Sequence, residues 1–210
     1  MKRYIAVAVL ALLAVAPLSA QAPSGWKMRV DRSMNASDPD APGPIKFVVK
    51  GSGFHATNPQ AAVYWNPSNT VTGNYTLKGT FTLINTTGHG EYYGLIFGGS
   101  GLEGTGQDYV YFMVNHDGEW LIKGRNGSST SQVASSGGPS DAVKKTGANG
   151  MSTNALEVRV TSDKVEFIVN GTVVNTTPKT GPVAKTDGIY GIRINHMLEV
   201  QVDGFAVTKQ

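Results

Sequence analysis

The 210-residue chain contains no cysteine, so it carries no disulfide, no thiolate metal site and no cysteine nucleophile. Charge is sparse, with 16% of residues Asp, Glu, Lys or Arg. No Lys/Arg run of the kind that tracks phosphates occurs. Lys2 and Arg3 lie in a leader-like head, and without them 16 basic residues face 15 acidic ones, so the formal charge of +3 is no sign of nucleic-acid binding. The four histidines, His55, His89, His116 and His196, show no H-x-H or H-E-x-x-H spacing. Asp38-Pro39-Asp40 lacks the ligand ladder of a calcium loop. The run Gly98–Gly106 lacks the Lys-Ser/Thr ending of a phosphate loop and reads as a mobile loop, and no Ser nucleophile elbow is present. No cofactor and no metal are expected.

The chain opens on a basic head, Met1-Lys2-Arg3, an apolar run from Ile5 to Leu18, and small residues around Ser19-Ala20-Gln21-Ala22. That is the layout of a signal peptide over residues 1–20, cut after Ala20. The run is shorter than the roughly 20 apolar residues of a membrane span. The expectation is a secreted or periplasmic protein of bacterial type, monomeric and without a membrane anchor after cleavage.

Residues 21–44, with Asp38-Pro39-Asp40-Ala41-Pro42-Gly43-Pro44, read as an irregular segment, and 45–210 as one domain. Apolar residues alternate from there on. Leu77, Phe81 and Leu83 share one side of a strand. Val110, Phe112 and Val114 take one side of the next, with Tyr109, Tyr111 and Met113 on the other. Leu156, Val158 and Val160, then Val165, Phe167 and Val169, then Leu198, Val200 and Val202 repeat the pattern. Asn170-Gly171 and Asp117-Gly118 each read as a type I′ hairpin turn. Residues 126–150 read as a surface excursion with an edge strand near Gln132–Ser135. About a dozen short strands without helices predict an all-β, antiparallel two-sheet β-sandwich of jelly-roll type, with Leu77, Phe81, Leu95, Phe97, Val110, Phe112, Val158, Phe167, Ile192 and Val200 in its core.

The segment Asn154–Val174, with its Val169-Asn170-Gly171 hairpin, resembles the laminin G-like and concanavalin A-like jelly rolls. Gly188–Asn195 followed by Val200–Phe205 resembles their closing strands. Tyr93-Gly-Leu-Ile-Phe-Gly-Gly99 resembles a central strand of exported bacterial members near the 3-keto-disaccharide hydrolase branch. The resemblance implies a curved sheet whose concave side meets sugar.

The alternation leaves Tyr92, Tyr109, Tyr111, Lys123 and Arg125 away from the core on three segments expected to pair. Tyrosine rings offer flat apolar faces to a sugar, and arginine a fork of donors. The alternative is that these tyrosines fill a second small core under residues 126–150. Trp65, before Pro67, either stacks on a ligand or seals a sheet edge. His89 and His116 sit in loops from which they could reach a ligand at the rim. Glu199 and Asp203 point to one side about 13 Å apart, farther than the roughly 5–9.5 Å of a glycosidase pair. Two readings follow: a non-catalytic domain binding a glycan or oligosaccharide, or a carbohydrate-active hydrolase or lyase. They would be told apart by whether His89, His116, Asp108 and Arg125 converge on one pocket.

Overall fold

The computed structural model describes residues 23–31, 40–86, 90–133 and 137–210; the leader, its cleavage point and His89 lie outside them. The described residues form fifteen strands and one 3-10 turn, Gly181–Val183. One sheet runs in the order β1 (Lys27–Val30), β4 (Ala62–Val71), β14 (Gly188–Ile194), β6 (Tyr92–Ser100), β7 (Asp108–Asn115), β8 (Glu119–Asn126) and β10 (Gly138–Pro139), and β9 (Ser129–Gln132) also pairs with β8. The other runs β13 (Thr172–Pro178), β12 (Lys164–Val169), β11 (Ser152–Val160), β5 (Tyr75–Thr86), β15 (Leu198–Lys209), β3 (Gly53–Asn58) and β2 (Lys46–Lys50). Every pairing is antiparallel, as the alternation requires.

The core lies between the sheets. All ten residues expected there are buried, none more than 2% exposed. The sheets meet through rings: Phe112 on β7 packs edge-on against Phe167 on β12, with centroids 5.2 Å apart, and Phe97 on β6 lies 6.1 Å from the same ring. Such pairs add to the apolar area they bury.

Three local expectations change. Residues 27–30 are not irregular: Lys27–Val30 pairs with Ala62–Trp65 and extends the sheet by one strand. Four residues flanked by a turn are too few for a period to register. Asn170 (φ 50°) and Gly171 (φ 83°) form the tight turn expected, but at the other hairpin Gly118 (φ 89°) has positive φ and Asp117 does not. That loop has three residues, His116–Gly118, and Asn115 Oδ1 closes it by accepting from the backbone N–H groups of Asp117 (3.1 Å) and Glu119 (2.9 Å). A three-residue loop ending in a left-handed glycine serves where the strands do not end at an Asp-Gly pair. Of the edge strand expected near Gln132–Ser135, residues 134 and 135 lie outside the described residues; the strand described beside them is β9, which ends at Gln132 and is folded back on β8 with Asn126 opposite Ser129.

Candidate functional site

The outward-facing positions of the eight-stranded sheet carry the candidate residues. Val63 and Trp65 on β4, Ile96 on β6, and Tyr109, Tyr111 and Met113 on β7 form a second buried apolar cluster with Leu102, separate from the main core. Tyr92, Leu121 and Ile189 pack against it, partly buried. Close contact between strands is possible because Gly191, on β14 between Trp65 and Ile96, has no side chain: a Cβ there would stand 2.3 Å from the carbonyl oxygen of Tyr64.

A second small core therefore exists, as the alternative reading anticipated, but none of the described residues of 126–150 joins it. Val133 and Val143 join the main core instead. The segment packed on the cluster is the glycine-rich connection between β6 and β7, through Leu102. This connection is tied down on the outer face: Gly104 N–H donates to Gly101 O at 3.1 Å, the Arg29 guanidinium donates to the carbonyls of Leu102 and Gly104, and Lys27 pairs with Glu103. Beside it an open cleft of about 390 Å³ runs along Trp65, Pro67 and Ile189.

At the centre of this face lies a polar network. Asp31, which follows β1, is 2% exposed. Its Oδ1 accepts from Arg125 Nη2 at 2.8 Å and from the Gln107 amide at 3.3 Å. Its Oδ2 accepts from the Tyr109 hydroxyl at 2.6 Å and from Arg193 Nη1. Arg193 Nη1 also donates to the Tyr109 oxygen at 2.8 Å, and its guanidinium carbon stands 5.2 Å over the Tyr111 ring. Arg125 Nε donates to Gly127 O at 2.8 Å. Burial alone would raise the Asp31 carboxyl pKa, but the Arg193 charge, the Tyr109 hydrogen bond and the Arg125 charge outweigh it and hold the group below the usual carboxylate value. Burial pushes the Tyr109 phenol up, so it stays a neutral donor. At the far rim the Tyr92 hydroxyl donates to Glu119 Oε2 at 2.7 Å, and Asn115 Nδ2 donates to the same oxygen at 3.0 Å.

The structure thus puts Tyr92, Tyr109, Tyr111, Lys123 and Arg125 on one face. Tyr109 (1% exposed), Tyr111 (5%) and Trp65 (2%) are buried beneath it, while Tyr92 and Lys123 stay partly accessible. His116 and Asp108 flank opposite ends of β7, whose seven steps span about 23 Å. Asp108 and Arg125 instead border a rim cleft with Lys185, whose Nζ is 3.4 Å from Asp108. Glu199 is engaged with His55 at 2.9 Å, and Asp203 accepts from Gln201 at 3.1 Å. Among the described residues no group of three or more His, Asp or Glu could hold a metal ion. His196, 2% exposed, lies 3.3 Å from Glu91 and 3.7 Å from Asp40. Sequence reasoning missed Asp31, Gln107 and Arg193. For Arg193 a signal existed, since Ile192 and Ile194 face the core and force the residue between them outward.

No family model and no curated protein matches the chain, so no match places it in the 3-keto-disaccharide hydrolase branch. Solved structures do match. The carbohydrate-binding module CBM66 from Bacillus subtilis aligns over 88% of this chain and 96% of its own, at 11% identity and a TM-score of 0.63. The carbohydrate recognition domain of Emp46p aligns over 85% of each chain, at 12% identity and a TM-score of 0.55. Alginate lyase A1-II′ aligns over 89% of this chain and 95% of its own, at 14% identity and a TM-score of 0.54. The fold of this chain is the antiparallel jelly roll of the galectin- and concanavalin A-like proteins, and at these identities the likeness is one of fold.

Proposed function

We propose that this protein is an exported, monomeric, non-catalytic domain that binds a glycan on the outer face of the eight-stranded sheet. The observation that carries this reading is the convergence of aromatic and cationic side chains from β6, β7, β8 and β14 on one face. Tyr92 and Lys123 form its accessible layer; Arg125 and Arg193 lie buried beneath it beside Tyr109 and Tyr111, with the Arg193 guanidinium over the Tyr111 ring. Rings beside charged forks suit a sugar, which has apolar C–H faces and polar edges. The fold likeness to a carbohydrate-binding module and a lectin domain points the same way. Among the described residues, Asp108 borders a rim cleft with Arg125 while His116 lies at the other end of β7 and Glu199 on the other sheet, which favours binding over the likeness to a lyase.

A glycan array on the purified protein, followed by calorimetry with Tyr92→Ala and Lys123→Ala, tests this reading. Binding that weakens in both variants supports it. Binding indifferent to both moves the site off this face, and turnover of a bound oligosaccharide restores the enzyme reading. Mass spectrometry of the exported protein, expected to begin at Gln21, tests the leader.

A further inference from the structure

The rim cleft beside Asp108 is a recess of about 290 Å³, close to the lower bound of the roughly 300–1,000 Å³ of small-ligand sites. One wall is the paired ends of β7 and β8 with Ser131 of β9; the other is the segment 181–185, which contains the 3-10 turn. Both walls are fixed from behind. Val183 is fully buried in the main core, and the Tyr75 hydroxyl donates to Thr186 O at 2.7 Å. Lys185 O comes so near β6 that a Cβ on Gly98 would stand 2.4 Å from it. On the opposite wall Gly127 N–H donates to Gln107 O at 2.7 Å, and Arg125 Nε donates to Gly127 O at 2.8 Å. Gly124 lets Pro182 lie against β8, since a Cβ there would stand 2.8 Å from Pro182 Cβ. A recess whose walls are already ordered costs little to occupy.

The side chains that line it are polar and reachable from solvent. Asn126, Ser131 and Lys185 are exposed, and the Asp108 side chain is 29% exposed. Lys185 Nζ and Asp108 Oδ2 meet at 3.4 Å, an ion pair so open to water that it is worth little, so both partners are free to turn to a ligand. Among the described residues no partner engages the Asn126 amide or the Ser131 hydroxyl. A carboxylate accepts from two neighbouring hydroxyls, an ammonium donates to oxygen, and an amide and a hydroxyl do both. Beside the apolar ring of Pro182, this set fits a polyhydroxy ring, which is polar at its edge and apolar on its C–H face. The reachable groups hold one cation and one anion, so they match a neutral ligand.

We propose that this recess is a second carbohydrate site, which takes a single neutral sugar ring: adjacent hydroxyls donate to Asp108, and Lys185 and Asn126 donate to the sugar's oxygens. It is separate from the Tyr92–Lys123 layer and does not depend on binding there.

The test is an NMR titration of isotope-labelled protein with the methyl glycosides of glucose, galactose and mannose, and with glycerol and galacturonate for comparison. At least one methyl glycoside is expected to shift the Asn126 side-chain amide and the backbone amides of Gly124 and Lys185 in a saturable way, and glycerol is not. Asp108→Ala and Lys185→Ala are each expected to weaken that binding by about tenfold, the scale of a hydrogen bond to a charged group, with the melting temperature unchanged. Asp108→Asn, which keeps the shape, takes the place of Asp108→Ala should the latter unfold. Tyr92→Ala is expected to leave rim binding as it is. No shift of the rim signals with any of the three glycosides, binding that survives both rim variants, or an equal response to glycerol overturns the proposal. Tighter binding of galacturonate than of methyl galactoside overturns it in favour of an anion site. Shifts confined to the surroundings of Tyr92 and Lys123 overturn the rim site and leave the outer-face reading standing. Rim shifts without any at Tyr92 and Lys123 support the rim site and retire the outer-face reading.

Discussion

The Tyr109 hydroxyl donates to Asp31 Oδ2 at 2.6 Å, across 78 positions of sequence. This bond fastens the stretch after an edge strand to the middle of the sheet, and it keeps one carboxylate within reach of two arginines. Asp31→Ala leaves both guanidinium groups buried without a counter-charge. The expected loss is about 3–5 kcal/mol of folding stability, the scale of breaking a buried ion pair from one side. Urea denaturation measures it; a loss below about 1 kcal/mol, the level of an exposed ion pair, would show that the network is far better hydrated than its burial implies.

Acid should expose the same group. The Asp31 pKa is held below its usual value in the folded state, so its contribution is present above the unfolded value of about 3.9 and is lost as pH falls through the folded pKa. Wild type and Asp31→Asn should differ in melting temperature at pH 6, and the gap should narrow progressively as pH falls below about 4. A gap that stays constant down to pH 2 would assign the difference to packing instead of charge.

Tyr92 and Tyr111 share a face but should fail differently. Tyr92→Ala is expected to weaken sugar binding by about 1–3 kcal/mol with little change in melting temperature, as at a contact residue. Tyr111 is 5% exposed under Arg193, so Tyr111→Ala should lower stability by about 3 kcal/mol, as for a buried ring. Calorimetric binding and thermal melts on both variants check the split; reversed roles would mean that the face opens in solution.

In the main core, Phe112→Ala should cost about 3–5 kcal/mol, because the ring is fully buried and contacts Phe167 across the sheets. An unchanged melting point would put Phe112 on the wrong side of its strand.

Gly191→Ala offers a test without charge or ligand. The added Cβ would meet the Tyr64 carbonyl at 2.3 Å and crowd Trp65 and Ile96, so a loss of about 1–3 kcal/mol is expected. A variant as stable as the wild type would show that β4 and β14 can separate at no cost.

The two-residue period made each strand's faces legible, which is why all ten core positions and the outward set from Tyr92 to Arg125 lie where the alternation put them. The period tells which side a residue takes and nothing of what comes to lie on that side. Hence the burial of Tyr109 and Tyr111 was not legible. Nor was the role of the Gly101–Gly106 connection, whose restraints come from Lys27 and Arg29, more than seventy positions away. Asp31 was hidden for a related reason: a lone carboxylate beside a four-residue strand has no local pattern, and its meaning comes from Arg125 and Arg193, 94 and 162 positions later.

The place of β15 in its sheet has a consequence for biogenesis. This strand, residues 198–209, lies between β5 and β3 and pairs with both, so it joins two blocks, β13-β12-β11-β5 and β3-β2, that otherwise share no ladder. A ribosome delivers it after every strand it must join. While those residues are still being made, the seven-stranded layer stays in two pieces and its apolar side has no closed partner. Closure of this layer thus waits for residues 198–209, and until they are made its two blocks cannot be joined into one sheet.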